Sequence, residues 1–569
     1  MKKKFLALFL CLSLLATLIA CAPKDSTTAK NTETAATSAP VADVDGMIVN
    51  DTGYTLSKLT QDSNLYGGPN GCAFDNEDKL YVGSVAGVSM FQVDKETGDA
   101  SVYLGSPYGG ADDIVFAPDG TMYWTAFFLG QVFKMDTEGK ITLLADQFAG
   151  ANSLDLDADG NLYCTQVFFG DALWKIDTTG GRNNVKIAEG LGGLNGFEIG
   201  KDGYIYGPLW FKQQVAKIDP ATGEIVKIVA DGFVTPCAVN FDSQGNLWAL
   251  DTGTGEIFKI NVDTGEKELI ATQAPHLDNL CIDSKDRIFF TNMNTSGVYE
   301  LDTATAEIRT VTEDITVYPQ GIEVISDGAE DTLYFADNFA YKKLAVATKE
   351  VECPENGSTY CYTASLSEDG TRIVMTGWND GSIKIFDTAT DQMERYTGFA
   401  APAGAVLLSD GSVLALESVK GNLVRISGYD AATAQVIASG LEGPAYLVLA
   451  GSDDPSVYVT EYSAGKITKI NYETGAQTVI CNMLSGPEGI ALTANGKLLV
   501  IDSAAKQLLS IKPDTGEKTV LIDNLPSGHL GASSLGPEAS PLEDVAVSAN
   551  GNIYFTSPQN NAIYMLAKN

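Results

Sequence analysis

One position of a repeated phrase collects the side chains best suited to chemistry. Aligning the copies puts Asn70, Asp112, Asn152, Asn195 and Asp278 there, with Cys237 in the remaining copy of the first half. Carboxylate and amide oxygens converging on one point suit a hard divalent cation, calcium above all. A bound cation polarises a carbonyl, and a nearby carboxylate activates water. Asp112, Asp113 or Asp278 could be that base, and Asp112 and Asp278 are carried forward as the catalytic candidates. The same groups could instead hydrogen-bond channel water and cap strand ends, because buried polar atoms need partners whether or not a ligand binds.

Three neighbouring copies carry paired aromatics, Phe127-Phe128, Phe168-Phe169 and Trp210-Phe211. An apolar wall beside a polar centre is what a small-ligand pocket requires, although packing between units would use the same residues. In the second half the aligned positions hold Gln320, Tyr362, Ala403, Ala445, Glu488 and Glu543. The one long insertion, residues 523–542, enters beside Glu488 and Glu543 and carries His529. His276, the other histidine, precedes Asp278 by two positions; both are read as exposed loop residues. The Asp155–Gly160 segment resembles the start of an EF-hand loop, but its twelfth position is Gln166, so it is read as a turn.

The elements that must position these groups are short strands. The repeated phrase is an apolar run, a tight polar turn and a second run ending in an aromatic, as in CAFDNEDKLYV from Cys72, LDLDADGNLYC from Leu154 and VNFDSQGNLWA from Val239. Twelve copies occur, and the turn glycines Gly120, Gly160, Gly203 and Gly245 stand 40, 43 and 42 residues apart. A period near 42 with several strands per unit is a propeller-blade pattern. No amphipathic helical stretch follows the leader. The expected fold is all-β: two tandem six-bladed β-propellers made of twelve four-stranded blade repeats. The last unit stops after three strands and Tyr54–Leu59 stands alone before the first. Each propeller is therefore expected to be closed by an N-terminal strand completing its last blade, Tyr54–Leu59 for residues 51–304 and Glu307–Thr312 for residues 305–569; the rival wiring pairs Tyr54–Leu59 with Ala562–Leu566 and interlocks the two rings.

Residues 1–20 read as a signal peptide, with Lys2–Lys4 before an apolar run. Leu18-Ile19-Ala20-Cys21 resembles a bacterial lipobox, which implies lipidation of Cys21, a flexible tether over 21–50, and a place in the bacterial cell envelope outside the cytoplasmic membrane. The net charge of −36 and pI near 4.3 oppose nucleic-acid binding and leave the lipid as the expected membrane contact. No nucleotide cofactor is expected, and the chain is expected to be a monomer. Past Cys21 lie Cys72, Cys164, Cys237, Cys281, Cys353, Cys361 and Cys481, an odd number that excludes a disulfide scaffold; Cys353 and Cys361 are the one sequence-local pair.

The repeat phrase and the inner Asn and Asp residues resemble the regucalcin/gluconolactonase family, and more loosely NHL-type repeats. Pro69-Asn70-Gly71 and Leu194-Asn195-Gly196 resemble the family's Asn-Gly motif, and Asp278 its acidic ligand. The resemblance implies a six-bladed propeller with one divalent metal at the channel mouth and lactone hydrolysis. The family's early glutamate ligand has no counterpart, Asn70 standing first. Two functions are expected: a lipid-anchored surface platform for a small molecule, glycan or protein, or a metal-dependent lactone hydrolase with the first propeller catalytic.

Overall fold

Alternating apolar runs broken by Asp- and Gly-containing turns leave each unit no choice but an antiparallel meander. The turn in the third unit shows the mechanism. Asp157 accepts hydrogen bonds from the backbone N–H groups of Asp159 and Asn161, at 3.0 and 2.8 Å, and the side chain of Asn161 donates to its second oxygen at 2.7 Å. The turn is closed by its own side chains and needs no ion.

The computed structural model describes residues 44–61, 65, 67–328, 330–338, 340–355, 361–378, 380–428, 430–527 and 542–569. The expected leader, Cys21, most of the tether and His529 lie outside these residues. Val41–Asn569 forms one unit. The described residues fold into twelve separate antiparallel sheets with strands in chain order. Sheets 1 to 6 span residues 72–104, 111–145, 151–189, 198–230, 236–272 and 277–312. Sheets 7 to 12 span 319–355, 363–397, 402–439, 444–481, 487–523 and 545–568.

The expected architecture is corrected by these pairings. The sheets are twelve open units, none closed on itself into a barrel or sharing a strand with the next, so the tandem propellers closed by N-terminal strands are not what forms. Tyr54–Lys58 does not complete the sixth sheet. It pairs along its length with Ala562–Lys568, completing the twelfth. Ile308–Thr312 stays with its own sheet, pairing with Gly297–Leu301. Ile48–Val49 adds a fifth strand to sheet 11. The physical reason is that the sixth unit already owns four strands and has no vacant edge, whereas the twelfth ends one strand short.

Core clusters sit between sheets, each uniting apolar faces of two neighbours; Trp124, Phe133 and Ile114 pack with Ala73 and Tyr81 of the preceding sheet. Within sheets 1 to 6, and again within sheets 7 to 12, the first strand of each sheet lies against the first strand of the next, sheet 6 lies against sheet 1, and sheet 12 lies against sheet 7. Some of these contacts are backbone hydrogen bonds, as from the Val239 N–H to the Gly196 carbonyl at 2.8 Å, and others are made by side chains. Thr125 of sheet 2 donates to the Asn152 carbonyl of sheet 3 at 2.5 Å, and Thr291 of sheet 6 donates to the Asn70 carbonyl beside sheet 1 at 2.6 Å. Gly71 permits the approach: a Cβ there would stand 2.5 Å from the Asp112 carbonyl oxygen and 2.8 Å from the Asp113 Cα.

Candidate functional site

The first strands of sheets 1 to 6 start at one end of the sheet stack, and there the predicted polar residues are found. Asn70 is buried and fully engaged: its oxygen accepts from the Val85 N–H at 2.9 Å, and its amide donates to Asp278 at 2.8 Å. Asp278 and Asp112 are each partly open to solvent. Burial raises the Asp278 carboxyl to about 6, with the Asp113 charge adding to it and the Asn70 hydrogen bond opposing it. Asp112 lies well above the usual carboxylate range through burial, then through the charges of Asp278 and Asp113. The charge of Asp278 raises the proton affinity of Asp112, so the two acids titrate together.

Asn152 is 3% exposed and its side-chain oxygen has no hydrogen-bond partner. Asn195 turns its oxygen back onto the Gly196 N–H at 3.0 Å. Cys237 fills its inner position with a thiol lying 3.4 Å from the Leu277 carbonyl. Among the described residues no three His, Cys, Asp or Glu side chains group as a metal site. The expected metal-bearing platform and metal-dependent hydrolase are corrected on that finding; the set Asn70, Asp112, Asn152, Asn195 and Asp278 supplies only two carboxylates among its donors. The amide oxygens of Asn70 and Asn195 are turned onto backbone N–H groups.

His276 is not an exposed loop residue. It is packed in at a φ of +76°, and burial lowers its imidazole to about 4, so it is neutral at physiological pH.

The aromatic pairs stand at the same end. Ala111 pairs with Ala126, Ala151 with Gln166 and Leu194 with Leu209, so each pair follows directly on the strand end facing an inner Asp or Asn. They form a connected cluster across three sheets. Phe127 meets Phe128 at 5.4 Å and Phe169 at 5.6 Å between ring centroids, and Phe168 meets Trp210 at 5.1 Å and Phe211 at 5.9 Å. Phe127 is buried, while Phe168, Phe169 and Phe211 are exposed. Phe168 is the centre of a γ-turn, the Phe169 N–H bonding the Val167 carbonyl at 2.8 Å, with φ at +67°. A side chain rarely adopts that conformation, and it holds the ring outward.

The second-half positions make no comparable opening. Gln320, Tyr362, Glu488 and Glu543 are all buried. Glu488 accepts from the Ser503 hydroxyl and from the Glu543 N–H, both at 2.7 Å. Burial, with the charge of Glu543, raises it well above the usual carboxylate range.

Sequence reasoning named Asp113 as a candidate base but missed that it belongs to a second row of acids, one level deeper. Asp113 accepts from the Ser153 hydroxyl at 2.6 Å and the Leu154 N–H at 3.1 Å; Asp155 accepts from the Ile199 N–H at 2.7 Å. Glu198 accepts from the Phe241 N–H at 2.5 Å. In the second half Glu323 and Asp544 do the same for the Leu366 and Ile322 N–H groups. Each acid satisfies an edge donor of the adjoining sheet. The signal was present as an acid inside an apolar run, one or more places past the inner position. A cavity of about 320 Å³ lies among these first strands, with Asp113, Asp155, Glu198 and Asn279 in its wall.

Comparison with known proteins adds family-level similarity. The chain matches no curated protein. Among solved structures it is similar to virginiamycin B lyase from Staphylococcus aureus, at 15% identity and a TM-score of 0.36, over 50% of this chain and 96% of that one. It is also similar to the extracellular domain of a one-component system assigned in B. thetaiotaomicron, at 12% identity and a TM-score of 0.32, over 87% and 76%. A protein assigned as a gluconolactonase aligns at 14% identity and a TM-score of 0.37, over 47% and 95%. Similarities this low carry no argument about the site. Residues 52–241 match the family described as the SMP-30/Gluconolactonase/LRE-like region, and the match ends before Asp278.

Proposed function

We propose that the open end of sheets 1 to 6 is a metal-independent acid–base site acting on a small uncharged hydroxy-carbonyl compound. The observation that carries it is Asp278, partly open to solvent and fixed by Asn70, with its charge acting on the likewise part-exposed Asp112. Paired acids whose environments separate their proton affinities divide the roles of acid and base. Asp278, deprotonated above about pH 6, takes a proton from the carbon next to the carbonyl. Asp112, still protonated, donates a hydrogen bond to the carbonyl oxygen where negative charge develops. The unpartnered oxygen of Asn152 accepts a substrate hydroxyl. Phe168, Phe169 and Phe211 cover the apolar flank of the molecule.

The test is hydrogen–deuterium exchange at carbon, followed by NMR in heavy water with a chelator present, over a panel of small hydroxy-aldehydes, hydroxy-ketones and lactones. Exchange of at least one compound is expected to rise through about pH 6 with Asp278. Asp278→Asn and Asp112→Asn should each slow it by about 100-fold or more. If no compound exchanges and both carboxyls titrate near the ordinary value of about 4, the reading fails. Exchange that requires added calcium would also overturn it.

A further inference from the structure

Sheets 1 to 4 share one apolar strip at the open end. From Phe211 it runs ring to ring through Phe168 to Phe127, at 5.9 and 6.2 Å between centroids. Phe127 in turn meets Phe169 and Phe128 at 5.6 and 5.4 Å. Beyond Phe128 lies a cleft of about 10 Å³ between sheets 1 and 2, walled by Val85, Val88, Ala126 and Leu129. It has room for one small group, and no polar side chain stands in its wall to hold a water. The cleft reaches the polar mouth: the Val85 N–H holds the Asn70 oxygen at 2.9 Å, and Ala126 pairs with Ala111, next to Asp112.

Phe168, Phe169 and Phe211 are 46%, 44% and 57% exposed. Rings in mutual contact facing water are costly, and the strained φ of Phe168 adds to that cost. Size decides what covers them. Half of a ring amounts to about 100 Å², so the three offer about 300 Å² on the same scale. A stable protein interface takes about 800 Å² from each partner. A membrane rich in anionic lipid repels a chain of net charge −36. A small molecule fits the area. Its polar side is met by Asn152, whose strand pairs with the one leading into Phe168 and whose buried oxygen has no partner.

We propose that the ligand of this end is amphiphilic: a hydroxy-carbonyl head carrying an unbranched alkyl chain. The head meets Asp278, Asp112 and Asn152, and the chain lies along the strip. The cleft admits a methyl or methylene group and excludes a ring, which favours an alkyl chain over an aryl group. The head rests on the acid–base reading above; the chain does not depend on which carboxyl moves the proton.

Binding to the full chain is measured by isothermal titration with a chelator present. The probes are hydroxyacetone and its homologues with propyl, hexyl and nonyl chains in place of the methyl group. The dissociation constant should fall by about twofold to fourfold for each methylene added, the larger figure being full burial, until the chain outgrows the strip. Phe168→Gly and Phe211→Ala should each lower the hexyl-to-methyl affinity ratio by about fivefold. Val419→Ala, which trims an exposed apolar side chain of sheet 9, should leave that ratio unchanged. An affinity that is absent or independent of chain length overturns the chain; carbon exchange on hydroxyacetone that still follows Asp278 would then leave the acid–base reading standing. Tighter binding with length but no exchange at any length supports the chain and fails the acid–base reading. Straight-chain alcohols that bind as tightly as hydroxy-ketones of equal length overturn the amphiphile, because the head then contributes nothing. Capture by zwitterionic phosphatidylcholine vesicles that is lost in Phe168→Gly assigns the rings to a membrane surface and overturns it as well.

Discussion

Gly71 and Phe168 are two residues whose backbone sets what their neighbours can do. Gly71→Ala would push a methyl group into the Asp112 carbonyl and the Asp113 Cα. Backbone cannot step aside as a side chain can, so this variant should lose about 1–3 kcal/mol of stability, read as a lower denaturant midpoint at unchanged slope. It should also disturb Asp112. Phe168 behaves oppositely. Its φ of +67° suits glycine, so Phe168→Gly relieves strain while removing an exposed ring. The thermal midpoint of Phe168→Gly should stay within a few degrees of the parent, whereas Phe127→Ala, which empties a buried position, should fall clearly below it. Equal losses in both would show that Phe168 is a packing residue.

Between elements, the telling feature is how a sheet edge is satisfied. The first strand of each sheet exposes N–H groups that its own sheet cannot pair, and Asp113, Asp155, Glu198, Glu323 and Asp544 accept them. Burial holds Asp113 at about 6 and Glu198 and Glu323 at about 7, against the hydrogen bonds that favour their charge. Asp155 and Asp544 lie well above the usual range, also through burial. These groups bind protons more tightly folded than unfolded. Stability therefore falls as pH rises from about 4 through about 7, where the unfolded carboxyls are already ionised. Surface acids such as Asp177, held at about 2 by hydrogen bonds from Thr179 and Asn183, add their own loss only below about pH 4. The thermal midpoint should be several degrees higher at pH 5 than at pH 8, and Glu198→Gln should flatten part of that slope. A midpoint that is level or rises from pH 5 to 8 would contradict this account. The strands themselves were legible: Leu162–Gln166 and Ala172–Ile176 stand where alternation and turn residues put them. The carboxylate links were not, because an acid in an apolar run shows its partner only once a second sheet is beside it.

For the whole molecule, the chain makes an excursion. It contributes Ile48–Val49 and Tyr54–Lys58 to sheets 11 and 12, builds sheets 1 to 6, and returns at Pro319 for the rest. The crossing is tied by Lys342, 4% exposed, whose ammonium contacts Asp337 at 2.6 Å and donates to the carbonyls of Asn294 and Ile315 at 3.0 and 2.9 Å. Asp337 also accepts from the Val317 and Tyr318 N–H groups. Lys342→Met would leave that carboxylate buried without its cation, at a cost of about 3–5 kcal/mol, measured by chemical denaturation; a loss under about 1 kcal/mol would mean that solvent screens the pair. The sequence by itself determined the all-β class, the twelve units and the shared position of Asn70, Asp112, Asn152, Asn195 and Asp278, because side-chain periodicity and turn chemistry act over a few residues. Only the tertiary structure decided which strand Tyr54–Lys58 joins, that Asn70 holds Asp278, and that Thr291 reaches the Asn70 carbonyl. Those pairings span hundreds of residues, and no local pattern distinguishes one vacant strand edge, or one buried donor, from another.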